Sequence, residues 1–197
     1  MPTLHLTVFW CLDADPYVFR TPAIFTACRS IAQNYGLSLE TLPQNVRDPG
    51  FILKYSGDVI GPSDWQRGLQ AMFDGANQRV RGLADQAFQG SGRLPIVFGG
   101  LTSSTANKLY IGQTIATTSK DGRTYKSDWL PWCIVDPTKA YDRPHTLLHE
   151  IAHAAGAAHN TSLSAGPGEL MVDGDITPPI TIEQGVLDLL GRSYFCW

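Results

Sequence analysis

The chain has 197 residues, 43% of them hydrophobic and 17% charged, with a formal net charge of −3. That composition fits one globular domain with a sizeable core and excludes intrinsic disorder. Lys and Arg are scattered along the sequence and form no basic stripe, so no nucleic-acid partner is expected.

"TLHLTVFW" alternates well enough for a strand, and "TPAIFTACRSIAQNYG" follows it as a helix, with Pro22 near the start and Gly36 just past the end. "LSLETL" and "GFILKYS" are short strand candidates. "PSDWQRGLQAMFDGANQRVRGLADQAF" has helical spacing through Trp65, Leu69, Met72 and Phe73 but contains three glycines, which predicts a broken helix. "RLPIVFGG" and "LPWCIVD" read as buried strands, and the polar, Thr-rich "NKLYIGQTIATTS" between them suits a sheet edge. "PHTLLHEIAHAAG" is a predicted helix, capped by Asp142 or Arg143 with Pro144 in its first turn. A loop rich in Gly, Pro and Ser comes next. The last segment, "TIEQGVLDLLGRS", predicts a helix with Thr181 and Gln184 as a capping box and Ile182, Val186, Leu189 and Leu190 on one apolar face.

No stretch approaches the roughly 20 apolar residues of a membrane span, and "MPTLHLTVFW" lacks the basic start and cleavage site of a signal peptide. A soluble protein is expected, with no membrane partner; a secreted or a cytoplasmic location fits equally. Cys11, Cys28, Cys133 and Cys196 show no CxxC spacing, which argues against a sulfur-based zinc site. Buried thiols are expected ahead of one or two disulfides, and a bridge at Cys196 would pin the C-terminal helix.

Four of the five histidines fall in "HTLLHEIAHAAGAAHN", residues 145–160. His145, His149 and His153 lie at i, i+4 and i+8, nearly on one helix face. At 1.5 Å per residue, His145 and His153 are about 12 Å apart along the axis, whereas zinc takes imidazole nitrogens at about 2.0 to 2.1 Å. They cannot share one ion. Glu150 directly follows His149 and gives His-Glu-x-x-His, two ligands on adjacent turns with a general base beside them. Gly156 can take positive φ, end the helix and turn the chain back, which brings His159 in as third ligand. Three neutral imidazoles leave zinc one open position, and bound water there is expected to have a pKa of about 7. His145 and His5 read as ordinary histidines.

"HEIAHAAGAAH" resembles the extended zinc motif HExxHxxGxxH of the metzincin clan of metallopeptidases. The clan also has a methionine turn beneath the zinc. Met171 in "ELMVDGD" is the candidate, the only methionine after His159. The resemblance implies an α+β fold: a twisted mixed sheet with two helices above a cleft, and a small C-terminal subdomain ending in a helix. It implies one catalytic domain over 1–197, with an upper part of about 1–159 and a lower part of about 160–197. It also implies a zinc-dependent endopeptidase with His149, His153 and His159 as ligands, Glu150 as base and Met171 as floor. Asp173 stands where astacins and serralysins carry a zinc-reaching tyrosine, so the chain looks more like the matrixin and reprolysin arrangement. Asn160 follows the third histidine where other families have Ser, Asp, Glu or Pro, and the subfamily stays unassigned.

The implied partner is a polypeptide lying along the edge strand over Leu109 to Thr118, including Leu109, Tyr110, Ile111 and Gly112. A monomer is expected. No cysteine-bearing inhibitory segment is visible, so any restraint on activity is expected to come from an external protein inhibitor. Two further readings stay open: a catalytically silent, zinc-stabilised binding module, and a protease toxin or effector domain delivered to another cell.

Overall fold

The computed structural model describes residues 1–11, 19–42, 53–55, 92–98, 112–115, 131–143, 145–162, 165–166, 168–172, 176 and 178–197. The side chains of residues 10, 11, 42, 53–55, 112–115 and 139 lie outside that description. The expected broken helix over residues 62–88 also lies outside it, as do Leu109, Tyr110, Ile111, Pro144 and Asp173.

The elements are strands β1 (Thr3–Cys11), β2 (Ser38–Leu42), β3 (Leu53–Tyr55), β4 (Leu94–Phe98), β5 (Gly112–Ile115) and β6 (Trp132–Val135). The helices are α1 (Thr21–Asn34), α2 (Pro137–Ala140), α3 (Thr146–Ala154) and α4 (Gln184–Arg192). The sheet runs β2-β1-β4-β6-β5, and β3 pairs with the C-terminal end of β1. All pairings are parallel except β5 with β6. The class is α+β, with a mixed sheet.

The central strands show why the sheet forms here. β4 and β6 are buried along their whole length, as parallel strands covered on both faces must be. The period-2 rows Leu4, Leu6, Val8; Leu94, Ile96, Phe98; and Cys133, Val135 enter one core with Ile24, Phe25 and Cys28 of α1 and Leu147, Leu148 and Ile151 of α3. Helix α3 packs on β5 and β6 and touches α1 and α4. Residues 195–197 return antiparallel to the start of β1, through Thr3 N–H to the Trp197 carbonyl at 3.2 Å and His5 N–H to the Phe195 carbonyl at 2.8 Å. The Trp197 ring stacks on His5 at 3.5 Å, and His5 Nδ1 lies 3.1 Å from Glu40. His5 is thus a structural histidine.

Two glycines end helices as expected. Gly36 has φ 73 and Gly156 has φ 103, and each is followed by an amide bonded back to the carbonyl five residues earlier. These are Schellman turns, which left-handed backbone at the glycine makes possible.

The helix starts differ from expectation. α3 begins at Thr146 with His145 at its cap position and no side-chain cap bond, so neither Asp142 nor Arg143 caps it. The capping carboxylate is Asp136, which accepts from the Thr138 amide at 2.9 Å and starts the short α2 instead. Thr181 and Gln184 form no capping box. Glu183 occupies the cap position, and Thr181 is drawn into a bridge with Glu169. Leu189 is exposed, and the buried face of α4 is Val186 and Leu190, with Leu187 packed beside them.

Cys28, Cys133 and Cys196 are free thiols, and no disulfide occurs among the described residues. Burial pushes the Cys28 thiol up to about 12, with Arg29 pulling weakly the other way. Since the thiolate is the nucleophile, Cys28 should resist iodoacetamide at pH 8 in native protein and react on unfolding. Mass spectrometry of alkylated peptides reads this directly, and native labelling of Cys28 would refute its burial.

Candidate metal centre

Helix α3 turns Leu147, Leu148, Ile151 and Ala152 into the core, which leaves His149 and His153 on its other side, one turn apart and half-buried. Their Nε2 atoms lie 3.1 Å from each other. The Gly156 turn then reverses the chain, and exposed His159 brings its Nε2 to 3.2 Å from that of His149 and 2.9 Å from that of His153. These three are the group of possible metal ligands found among the described residues. His145, buried on the first turn, is not part of it.

The donor chemistry fits a metal ion. A tetrahedral centre with Zn–N bonds of about 2.0 to 2.1 Å needs its nitrogens about 3.3 Å apart, close to the three separations found here. Two of the rings are fixed from behind. His149 Nδ1–H donates to the Leu170 carbonyl at 2.5 Å, and His153 Nδ1–H donates to the Ala157 carbonyl at 2.7 Å. With Nδ1 protonated, Nε2 of each ring carries the free lone pair that a metal needs. The exposed side of His159 leaves the cluster open to solvent.

Glu150 follows His149 and is itself buried, at 6% exposure, with its backbone carbonyl accepting from the Cys133 thiol at 3.4 Å. Met171 is buried at the core edge in a turn closed by the Val172 amide and the Glu169 carbonyl at 3.2 Å. The Met171 carbonyl accepts from the Asn160 amide at 2.7 Å, so this turn lies directly against the chain leaving His159. Gly112 is in β5, whose neighbour in the sheet is β6 and which ends the strand order among the described residues.

Some site residues were not singled out from the sequence. The Ala157 and Leu170 carbonyls that hold the two rings have no side-chain signal in the sequence. Asn160 departs from the residues other families carry after the third histidine, and its side-chain amide donates to Glu169 Oε2 at 2.6 Å and to Glu183 Oε1 at 2.8 Å. The Gly166 N–H, bonded to Glu169 Oε1 at 2.7 Å, holds the Glu169 carboxyl below the usual carboxylate range, and hydrogen bonds with Glu183 and Asn160 add to that.

No protein-family model matches the chain, and no curated protein matches it. Solved structures do. One is metalloproteinase-II from Bacteroides fragilis, at 17% identity and a TM-score of 0.54. The fold is metalloproteinase-like. The likeness covers 95% of this chain and 52% of that one, so the chain spans about half the length of the solved relative.

The geometry predicts an ordered set of metal affinities. His159→Ala should weaken zinc binding by at least about 100-fold, beyond what loss of a supporting group causes, while His145→Ala should leave it unchanged. Competition against a chromogenic chelator measures both, and equal effects would reject the three-histidine assignment.

Proposed function

We propose that the chain is a zinc-dependent endopeptidase of the metzincin type, with His149, His153 and His159 as ligands and Glu150 as general base. The observation that carries the reading is the convergence of three Nε2 atoms within 3.2 Å of one another, two of them on rings already locked in the metal-binding tautomer. The adjacent Glu150 and the metalloproteinase-like fold support it.

A zinc ion held by His149, His153 and His159 would supply an acidified water and a Lewis acid for the scissile carbonyl. The chain's own residues do the rest. His149 and His153 keep their Nε2 lone pairs forward because backbone carbonyls hold their Nδ1 protons. The Glu150 carboxylate takes the proton from the attacking water and hands it to the departing amine nitrogen, so one group serves as base and then as acid. Met171 forms a hydrophobic floor beneath the ligands.

The substrate is an extended polypeptide. Among the described residues strand β5 ends the strand order and bonds to β6 on one side, so adding a peptide strand on the other side would supply backbone hydrogen bonds with little demand on sequence. In this reading Leu109 to Thr118 forms that docking edge. The part up to about residue 159 lies above the substrate and the remainder below. The motif helix α3 and the loop after His159 shape the side-chain pocket.

The test is Glu150→Gln. It should keep one zinc per chain and an unchanged unfolding midpoint, yet lower hydrolysis of a fluorogenic peptide pool by about 10²- to 10⁴-fold. Full activity in the zinc-loaded Glu150→Gln variant would remove Glu150 from the mechanism. Zinc uptake without hydrolysis by the wild type would favour the silent binding module.

A further inference from the structure

Three separate stretches of chain meet at the Asn160 side chain. Its amide nitrogen donates to Glu169 Oε2 at 2.6 Å and Glu183 Oε1 at 2.8 Å, and its Oδ1 accepts from the Ser162 amide at 3.0 Å. The partners stand at consequential places. Glu169 precedes Leu170, whose carbonyl orients His149, and Met171, whose carbonyl accepts from the Asn160 amide. Glu183 occupies the cap position of α4. Asn160 itself directly follows His159. Glu169 also holds the Gly166 N–H through Oε1, and its backbone pairs with Thr181.

We infer that Asn160, Glu169 and Glu183 form a positioning clamp that holds His159 and the Leu170 carbonyl in register, so that the third ligand and the support of the first are set together. The inference rests on the three-histidine metal reading. None of the three clamp residues is a ligand. Each acts through another group: Asn160 on the neighbouring His159, Glu169 on His149 by way of Leu170, and Glu183 by fixing both to the last helix.

The polarity of the clamp gives a discriminating test. An amide at 160 has two N–H donors for two carboxylates, whereas Asn160→Asp puts a third carboxylate against them. Changing all three, Asn160→Asp with Glu169→Gln and Glu183→Gln, reverses donors and acceptors and restores both bonds, and leaves oxygen acceptors for Gly166 and Ser162. Zinc affinity is read by chelator competition, the ligand geometry by the visible absorption of the cobalt-substituted protein, and the fold by the unfolding midpoint of the metal-free protein. Asn160→Asp should bind zinc about 10- to 100-fold more weakly than wild type, with an altered cobalt spectrum, and the triple variant should recover most of both. Asn160→Ala, which adds no charge, should fall between them and stands in if the Asp variant does not fold.

Wild-type affinity and spectrum in the folded single variants would overturn the clamp while leaving the metal reading intact. A folded triple variant no better than Asn160→Asp would overturn it too. Wild-type protein that takes up neither zinc nor cobalt, or that loses nothing on His153→Ala, would overturn both.

Discussion

Three imidazole nitrogens aimed at one point oppose one another unless something positive sits between them. Here two of the three rings present lone pairs by construction, because the Leu170 and Ala157 carbonyls hold their Nδ1 protons. The rest of the described structure serves that arrangement. The sheet supplies an apolar support, α3 buries one face on it, and the opposite face carries His149 and His153 at the spacing of one helical turn. The glycine turn then spans the short distance to His159. Each step narrows the freedom of a ligand before any ion arrives, which is how a protein raises the affinity of a small donor set.

The two supporting carbonyls come from different depths in the chain. Ala157 is local: the Schellman turn at Gly156 that ends α3 also delivers the carbonyl that orients His153. Leu170 is 21 residues from His149 and reaches it only because residues 168–172 fold back against residue 160. The first ligand therefore depends on the return of the chain after the third. That dependence links the histidine cluster to α4 through Glu183 and to the bridge between Glu169 and Thr181.

Much of this was legible in the sequence, for physical reasons. Helical rise alone separates His145 from the ligand set, and the apolar positions of residues 146–154 fix which side of the helix faces the core. Gly36 and Gly156 announce their turns because few other residues take positive φ. The buried strands β4 and β6 read as continuous apolar runs. What failed depended on partners distant in sequence. Thr181 three residues before Gln184 has the form of a capping box, but the Thr181 backbone is engaged by the Gly168 carbonyl and the Leu170 amide, and the cap position falls two residues later at Glu183. Leu189 fits an apolar stripe on paper, yet the core meets α4 along Val186 and Leu190 with Leu187 beside them, and Leu189 is exposed. α3 starts without a side-chain cap from Asp142 or Arg143, while Asp136 caps the separate short α2, whose first turn is Pro137 and Thr138. The Leu170 carbonyl left no trace at all, since a backbone acceptor has no side-chain signature.

The central claim is that three histidines and no cysteine or carboxylate of this chain surround the ion. X-ray absorption of the zinc-loaded protein tests it most directly. The account predicts a first shell of nitrogen and oxygen at about 2.0 to 2.1 Å, four atoms in all, with the outer-shell scattering of three imidazoles. A sulfur contribution near about 2.3 Å, or scattering from only two imidazoles, would contradict it.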